Sequence, residues 1–374
     1  MPWRESTCMS QRLEFIAEAG RRELSFSALC RKYGVSRKTG YKYLARGGAE
    51  ERSRRPRTSP RKTGPEVEAL VCQLRRTEPV WGGRKIRDRL VLDGAIGLPA
   101  PSTITDILRR HGLLSPPLRP QRDLLRFEAE QPNDLWQMDF KGPLHTAAGD
   151  CFALTVLDDH SRFLLCLGAC PDQKTEKVQA QLTRAFRIYG LPRRILCDNG
   201  PPWGSDAQHR FTKLCAWLMR LGIQVSHGRP YHPQTQGKDE RFHRTLSLEL
   251  LSRRESDWRD LPDLQVSFDL YRQHYNEYRP HQSLGGIPPA LRYIDSARRL
   301  PRALPQPAYE AGDELRIVSR DRRISFAGHD YRLGKAFVGQ TVALRATEHG
   351  GWDVYYCWQR IGSLDPSSPR LLQV

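Results

Sequence analysis

Two aspartates occupy positions at which an acidic side chain needs a chemical explanation. Asp139 lies in the middle of LWQMDF, a stretch whose alternating apolar and polar residues predict a half-buried strand. Asp198 ends the short apolar run ILCD, and open α/β sheets commonly place functional residues at strand ends. Because a carboxylate is costly to bury without a partner, both positions indicate a site rather than a packed core.

A third acid, Glu240, lies early in a predicted helix that follows the turn HPQTQGK. The apolar residues Phe242, Leu246 and Leu250 are four positions apart and should face the core. Glu240 shares a different face with Arg244. The helix can therefore stay anchored while the Glu240 carboxylate looks across the edge of a sheet.

Carboxylates that converge from these positions would form an oxygen-only, multiply anionic site, which Mg²⁺ or Mn²⁺ prefers. Two such ions about 4 Å apart can activate a water or a 3′-hydroxyl and stabilise the leaving oxygen during in-line attack on a phosphodiester. The sequence therefore predicts a site for Mg²⁺ or Mn²⁺, with two ions per active site and no protein nucleophile. The histidines form no zinc-binding set, which argues against a zinc hydrolase.

Other acids lie close to these three in the sequence. Asp158 and Asp159 are adjacent at a predicted hairpin turn, where short acidic side chains bond to local backbone amides. A position beside the metal ions is the alternative for this pair. Asp239 precedes Glu240 and is turned about 100° around the helix, so we expect Asp239 to be solvated.

Four sequence blocks resemble, in the same order, the catalytic core of the DDE transposases of bacterial insertion sequences, which are relatives of retroviral integrases. The blocks are LWQMDFKG, LDDHSRF, CDNGPP and HPQTQGKDERFHRTL. The resemblance implies a ribonuclease H-like core and gives the catalytic and metal-binding roles to Asp139, Asp198 and Glu240. It also implies cutting at transposon ends and transfer of the 3′ ends into target DNA, by a homo-oligomer assembled on double-stranded DNA.

The sequence departs from that family pattern in two respects. Between Asp198 and Glu240 lie 41 residues, more than is usual in the group, and the extra length fits the loop PPWGSDAQHR, where insertions are tolerated. Retroviral integrases begin with a His/Cys zinc domain, which this sequence does not have. Recognition of DNA ends is therefore expected to depend on helical modules.

The composition agrees with a nucleic-acid partner. The 374 residues include 60 Lys and Arg against 42 Asp and Glu, a formal net charge of +18, and this excess predicts a polyanionic partner. A ribosomal or membrane-surface protein could show the same balance. The sequence has no run of about 18 apolar residues, and its nine cysteines form no C-x-x-C pair. We expect a protein of the bacterial cytoplasm, without a membrane partner, that associates with the nucleoid when bound to DNA.

Breaks in composition divide the chain into four domains and two linkers. The domains must position the site. The linkers are predicted over 48–64 and 117–129. The predicted domains are a helix-turn-helix domain, 1–47; a second helix-turn-helix or winged-helix domain, 65–116; a ribonuclease H-like α/β catalytic core, 130–297; and a small all-β barrel, 308–374.

The first domain presents a nearly all cationic or hydroxylic helix after a turn at Gly34, which is the pattern of a helix in a DNA major groove. The residues predicted to contact DNA are Ser36, Arg37, Lys38, Tyr41, Lys42 and Arg46. A small basic hairpin that binds nothing is the alternative.

In the second domain we predict Ser102 as a helix N-cap and a short wing strand starting at Leu113 and Leu114. DNA contact and simple packing both remain open for this domain.

Further candidate contacts surround the acids. Three basic residues flank Glu240 and are predicted to hold DNA phosphates near the metal ions, a solvated cationic face being the alternative: Lys238, Arg241 and Arg244. Three polar residues either touch DNA or only shape their loops: Asn199, His232 and Gln236. In the barrel, aromatic residues are predicted to form the core, although alternation could expose the second of them: Trp352, Tyr355, Tyr356 and Trp358.

Two other functions stay open beside DNA strand transfer. One is a non-catalytic DNA-binding regulator that kept the scaffold, and the presence of all three acids weighs against it. The other is a nuclease of the ribonuclease H or resolvase type without strand transfer. Flanking DNA-binding modules indicate a longer DNA assembly than a simple nuclease needs.

Overall fold

A computed structural model gives the fold, and its chain divides into two compact units, Met1–Lys62 and Thr63–Val374, which are described separately. The structure describes most of both units. The described residues are 8–48, 50, 62–114, 128–198, 200–204, 211–228, 237–253, 258–348, 350–365 and 368–373. Asn199, His232, Gln236 and most of both predicted linkers lie outside these residues.

The first unit contains the three short helices expected from the sequence. They are α1, Cys8–Arg21; α2, Phe26–Lys32; and α3, Arg37–Arg46. Gly34 adopts a φ of +63° in the turn between α2 and α3, and the Ser36 hydroxyl caps α3 by accepting a hydrogen bond from the backbone N–H of Thr39. Phe15 and Leu29 form part of the buried centre.

The second unit begins with three more helices, α4, Pro65–Thr77; α5, Gly83–Leu92; and α6, Pro101–Arg110. The prediction that Ser102 caps α6 is wrong, because Pro101 occupies the first helical position, where its fixed φ is favourable, and Ala100 is the N-cap. Leu113 and Leu114 lie outside any strand.

A five-stranded mixed sheet forms the centre of the second unit. Its strands are β1, Leu135–Thr146; β2, Gly149–Asp158; β3, Leu164–Cys170; β4, Arg194–Cys197; and β5, Gln224–His227. The strand order is β3-β2-β1-β4-β5, with the first three strands antiparallel and β4 and β5 parallel to β1. This is the ribonuclease H-like arrangement that the sequence blocks implied.

Helices cover both faces of this sheet. They are α7, Thr175–Tyr189; α8, Lys213–Arg220; α9, Gly237–Glu249; and α10, Leu261–Gln273. On β2, Leu154 and Val156 face the core that contains α7 and α8, whereas Leu157 faces the core that contains α9 and α10. Burial on both faces explains why β2 and β3 are nearly continuous apolar runs. None of the described helices is long and apolar enough to cross a membrane.

The C-terminal region is all-β, as predicted, and its strands pair antiparallel. Its strands are β6, Glu314–Ile317; β7, Arg323–Phe326; β8, His329–Arg332; β9, Thr341–Ala346; β10, Trp352–Tyr356; β11, Gln359–Asp365; and β12, Ser368–Gln373. They form a sheet of order β12-β11-β10-β9-β6 and a separate β7–β8 hairpin. Tyr356 is fully buried, but Trp358, which was predicted for the core, is 48% exposed because it lies in the turn between β10 and β11.

A buried charge cluster joins the second helical module to the core. The Glu249 carboxylate accepts hydrogen bonds from Arg279 at 2.8 Å, Lys85 at 3.3 Å and the Tyr271 hydroxyl at 3.2 Å. Burial alone would raise the pKa of Glu249, but Arg279 and Lys85 hold it below its usual value. Packing is therefore an observed role of the second helical module, and DNA contact by the module stays a prediction.

The C-terminal domain covers the exposed edge of the central sheet through one side chain. Gln359 accepts a hydrogen bond from the backbone N–H of Val225 at 3.0 Å and donates one to the Val225 carbonyl at 2.9 Å. An uncovered edge strand would leave backbone groups unpaired. This amide pairing therefore satisfies part of β5 and ties the C-terminal domain to the sheet.

Replacing Gln359 with Met should destabilise the second unit, because both Val225 backbone groups would be buried without a partner. We expect a loss of about 1–3 kcal/mol in the free energy of unfolding, measured by urea denaturation. Gln224→Met, at an exposed neighbour on β5, is the matched control and should change stability by less than about 0.5 kcal/mol. Equal effects of the two substitutions would show that the pairing contributes nothing specific.

Candidate active site

The parallel pairing of β1 with β4 brings two of the predicted acids together. Gln137 on β1 is level with Leu196 on β4. Continued by two residues, this register sets Asp139 beside Asp198 at the carboxyl end of β4. Acids that are distant in sequence therefore meet on two neighbouring inner strands because β1 and β4 run parallel.

Asp139 is partly buried and lies in the electric field of other carboxylates. One of its oxygens, Oδ1, accepts a hydrogen bond from the backbone N–H of Phe140 at 2.8 Å. Burial, together with the negative charges of Asp198 and Glu240, raises the pKa of Asp139 to about 6, and the hydrogen bond from Phe140 opposes this shift. The three predicted acids are thus close enough to repel one another, which a bound cation would relieve.

Both the side chain and the backbone carbonyl of Asp198 have hydrogen-bond partners. Its Oδ1 accepts a hydrogen bond from the backbone N–H of Gly200 at 2.8 Å, and its carbonyl oxygen lies 3.0 Å from His227 Nδ1. A Cβ at Gly200 would stand 3.4 Å from both Asp198 carboxylate oxygens. Glycine at this position therefore leaves the approach to the carboxylate open.

Glu240 lies in the first turn of α9 with an exposed side chain. Among the residues that the structure describes, no group of three or more His, Cys, Asp and Glu side chains is placed so that it could hold a metal ion. The donor chemistry nevertheless fits a hard divalent cation, because the groups beside Asp139 are carboxylates whose negative charges raise the pKa of Asp139.

Asp239 is buried, and the prediction that it is solvated is wrong. Its side chain is 1% exposed, and within the described part of the chain neither carboxylate oxygen has a hydrogen-bond partner. The reason is helical phase: Asp239 belongs to the buried stripe that continues through Phe242, His243 and Leu246. Burial raises the pKa of Asp239 well above its usual value, and the charges of Asp139 and Asp159 act in the same direction.

His243 is a neighbour of Asp139 that the sequence reasoning missed. The Thr155 hydroxyl donates to the Asp139 carbonyl at 3.0 Å, so it accepts from His243 Nε2 at 2.9 Å. His243 Nδ1 then lies 3.8 Å from Asp139 Oδ2. Burial lowers the pKa of His243 to about 4, so the ring is neutral near pH 7 and adds no charge to the site. Its position three residues after Glu240 was the available signal.

The adjacent acids Asp158 and Asp159 are fully buried and bonded to the protein. Asp158 accepts a hydrogen bond from the backbone N–H of Ser161, the local contact predicted for a turn, and a second one from the sequence-distant backbone N–H of Asn133. Asp159 accepts from Gln137 and forms an ion pair with Lys238 at the start of α9.

Lys238 therefore has a structural partner beside its predicted role in DNA binding. Burial lowers its pKa to about 8, and the ion pair with Asp159 opposes that shift. The pair fixes the first turn of α9, which carries Glu240. Arg241 and Arg244, the other residues predicted to hold phosphates, have exposed side chains.

In the first unit, α3 presents most of its predicted DNA-binding residues to solvent. Ser36 is exposed but its hydroxyl is already used in capping, and Arg46 is partly buried. The exposed residues that remain are Arg37, Lys38, Tyr41 and Lys42.

Comparison with known protein families matches four regions of the chain. The Integrase core domain is matched over residues 129–233 and, by a second model of the same description, over residues 221–289. Residues 313–369 match the C-terminal domain of IS481 family transposases. Residues 37–108 match a Homeodomain-like domain.

Similar proteins include an insertion-element and a viral protein. The chain is 32% identical over 162 residues to the insertion element IS476 uncharacterized 39.2 kDa protein of Xanthomonas euvesicatoria, covering 43% of this chain and 44% of that protein. It is 32% identical over 180 residues to the Pro-Pol polyprotein of Simian foamy virus type 3, covering 47% of this chain and 14% of the polyprotein. The chain thus spans less than half the length of either relative.

Solved structures with a similar arrangement come from retroviral integrases. The HTLV-2 integrase catalytic core domain in complex with magnesium is 18% identical, with 45% of this chain and 100% of that chain covered and a TM-score of 0.35. A chain of the simian T-cell lymphotropic virus intasome is 18% identical, with 78% of this chain and 97% of that chain covered and a TM-score of 0.37.

The mixed sheet has a ribonuclease H-like arrangement, and residues 129–233 and 221–289, which include this sheet, match the Integrase core domain. More particularly, the chain combines an integrase core domain with the C-terminal domain of IS481 family transposases. The resemblance to the transposases of bacterial insertion sequences, first seen in the four sequence blocks, is thereby confirmed.

Replacing Lys238 with Met should weaken divalent-ion binding, because the first turn of α9 would lose its anchor to Asp159. We expect the dissociation constant for Mn²⁺, measured by electron paramagnetic resonance of the free ion, to rise about 10- to 100-fold. Arg241→Met, at an exposed neighbour on α9, should leave this constant unchanged.

Combining Lys238→Met with Asp159→Asn separates positioning from stability. The double variant removes the unpaired buried charge and should regain folding stability without regaining Mn²⁺ affinity. Recovery of both properties together would mean that Lys238 matters only for folding.

Proposed function

We propose that this chain is a DNA transposase that binds transposon ends and catalyses metal-dependent 3′-end cleavage and strand transfer into target DNA. The observation that carries the proposal is the side-by-side placement of Asp139, within β1, and Asp198, at the carboxyl end of β4, with the charge of Glu240 acting on Asp139. The integrase core and IS481-type domains support the same assignment.

In this proposal Asp139, Asp198 and Glu240 hold two Mg²⁺ or Mn²⁺ ions. When bound, the ions would supply activation of the attacking oxygen and stabilisation of the leaving oxygen. The backbone amide of Phe140 fixes one oxygen of Asp139, and the backbone amide of Gly200 fixes one oxygen of Asp198. The second oxygen of each carboxylate is left for a ligand. Support for magnesium comes from the HTLV-2 core, which is described in complex with that ion.

The neighbouring groups limit the negative charge at the site. His243 is neutral beside Asp139, and the raised pKa of Asp239 favours its uncharged form. Arg241 and Arg244 have exposed side chains on the same helix as Glu240, and we assign them to DNA phosphates. The site would therefore present three carboxylates to cations and an adjoining cationic surface to DNA.

We assign recognition of the transposon ends to the domain of residues 1–47. The other proposed domains are the second helical domain, 65–116, the catalytic core, 130–297, and the C-terminal β domain, 308–374. The partner is double-stranded DNA, both transposon ends and target, bound by a homo-oligomer. Such a protein would act in the bacterial cytoplasm and associate with the nucleoid through DNA.

Removing any one carboxylate of the trio should abolish catalysis. Asp139→Asn, Asp198→Asn and Glu240→Gln are each expected to reduce joining of candidate end DNA to a target plasmid in Mg²⁺ by at least about a hundredfold. DNA binding should stay measurable in all three, because phosphates and cationic side chains supply much of the attraction. Asp239→Asn is the matched control and should retain joining.

The outcomes of this assay distinguish the candidate functions. An active Glu240→Gln variant with an inactive Asp239→Asn variant would transfer the third catalytic role to Asp239. Cleavage of end DNA without joined products would indicate a nuclease. Binding of end DNA without either reaction would indicate a regulator.

Charge removal on α3 should weaken binding to end DNA. The double variant Arg37→Ala/Lys42→Ala is expected to lower affinity and to reduce the slope of log affinity against log salt by about two, if each side chain contacts one phosphate. Arg31→Ala, at an exposed residue of α2, should leave the slope unchanged. An unchanged slope in the double variant would remove α3 from the DNA interface.

A further inference from the structure

A cavity of about 490 Å³ lies between α8 and the C-terminal β domain, away from the three acids. Every charged residue that lines it is basic, and we call these five residues the basic groove: Lys213, Arg220, Arg320, Arg322 and Lys335. Two of them come from α8 and three from the C-terminal domain. Trp217 and Tyr356 contribute aromatic walls.

The positive charge of the basic groove is not neutralised within the described part of the chain. None of its five side chains forms an ion pair there, and Arg220 donates only to the backbone carbonyls of Pro305 and Leu304. Asp321, which stands between Arg320 and Arg322 in sequence, lines a different cavity. That second cavity contains acids as well as arginines, so its charges are partly balanced, whereas the basic groove has no acid of its own.

Two features of the basic groove are unfavourable for the stability of the folded protein. Lys213 stands in the first turn of α8, at the positive end of the helix dipole, where a cation is destabilising and an anion is favoured. Arg322 adopts a φ of +67°, a strained value for a residue other than glycine. Backbone hydrogen bonds of Arg322 with Ser319 and Leu333 hold that conformation.

Aromatic packing connects the basic groove to the backbone of Asp198. Phe337, two residues after Lys335, contacts Phe211 edge-on with ring centroids 6.1 Å apart. Phe211 lies 5.9 Å from the His227 ring, and His227 Nδ1 is hydrogen-bonded to the Asp198 carbonyl. The basic groove and the strands that carry Asp139 and Asp198 therefore belong to one packed structure. DNA bound in the basic groove would keep a fixed position relative to the acids.

We propose that the basic groove binds the phosphodiester backbone of DNA at a site separate from the carboxylates, an inference that rests on the proposed function and specifies its DNA contacts. Several phosphates in succession fit better than one free phosphate, because a single phosphate cannot neutralise five cations. Arginine side chains from the C-terminal domain and the α8 N-terminus are both suited to phosphate oxygens.

The test measures binding of a duplex DNA to the full chain without divalent ions. Arg320→Glu/Lys335→Glu should weaken binding at least about tenfold and lower the salt slope by about two. The matched control is Arg184→Glu/Arg187→Glu, which makes the same change in net charge at exposed positions of α7 and should have an effect under about twofold. Equal weakening by both double variants would reduce the effect to net charge and overturn the proposal.

Chemical protection locates the contact directly. Bound DNA should protect Lys213 and Lys335 from acetylation by an N-hydroxysuccinimide ester, read by mass spectrometry, while exposed Lys177 on α7 stays reactive. Lys213 and Lys335 remaining equally reactive with DNA, or being protected only by an acidic peptide, would overturn the proposal. If the unaltered protein binds and joins DNA, but the charge-reversal variant binds normally and the two lysines are not protected, only the basic-groove proposal is refuted. If the unaltered protein binds no DNA, the proposed function fails.

Discussion

Repulsion between carboxylates held side by side on adjacent parallel strands is the constraint on which the rest of this structure depends. The β1–β4 register makes Asp139 and Asp198 neighbours, and burial together with the nearby charges raises the pKa of Asp139 to about 6. Such an arrangement costs folding free energy unless positive charge is supplied. Among the adjacent side chains, His243 is neutral near pH 7, and burial raises the pKa of Asp239 well above its usual value.

The acids stay in place because the sheet that carries them is fixed on every side. Helices bury both faces, and Gln359 pairs with the backbone of β5 at the edge. The cluster around Glu249 ties the second helical module to the α9–α10 side. A rigid scaffold of this kind can hold like charges close together, because no local movement separates them without breaking buried contacts.

Local sequence patterns were sufficient to predict the strands of the central sheet and the positions of Asp139 and Asp198 relative to them, because alternation and apolar runs reflect the burial of each strand. They could not reveal the pairing of Gln359 with Val225, since the two residues are 134 positions apart and the contact depends on domain packing. The error at Ser102 came from a competing rule, the preference of proline for the first turn. Trp358 is exposed because it lies in a turn, and the alternation of apolar and polar residues alone did not give the position of that turn.

The start of α9 shows why helical phase decides the assignment of the third acid. Lys238, Asp239 and Glu240 are consecutive, yet their environments differ. Lys238 is partly buried in an ion pair with Asp159, Asp239 is a buried acid with no hydrogen-bond partner among the described residues, and Glu240 is exposed. The apolar pattern of Phe242 and Leu246 extends back by three and seven residues to position 239, so Asp239 must face the sheet. Exchanging the places of Asp239 and Glu240 would require α9 to rotate by about 100°, which would expose that stripe and break the Lys238–Asp159 pair. The packing of α9 therefore keeps Glu240 as the residue free to turn towards a cation.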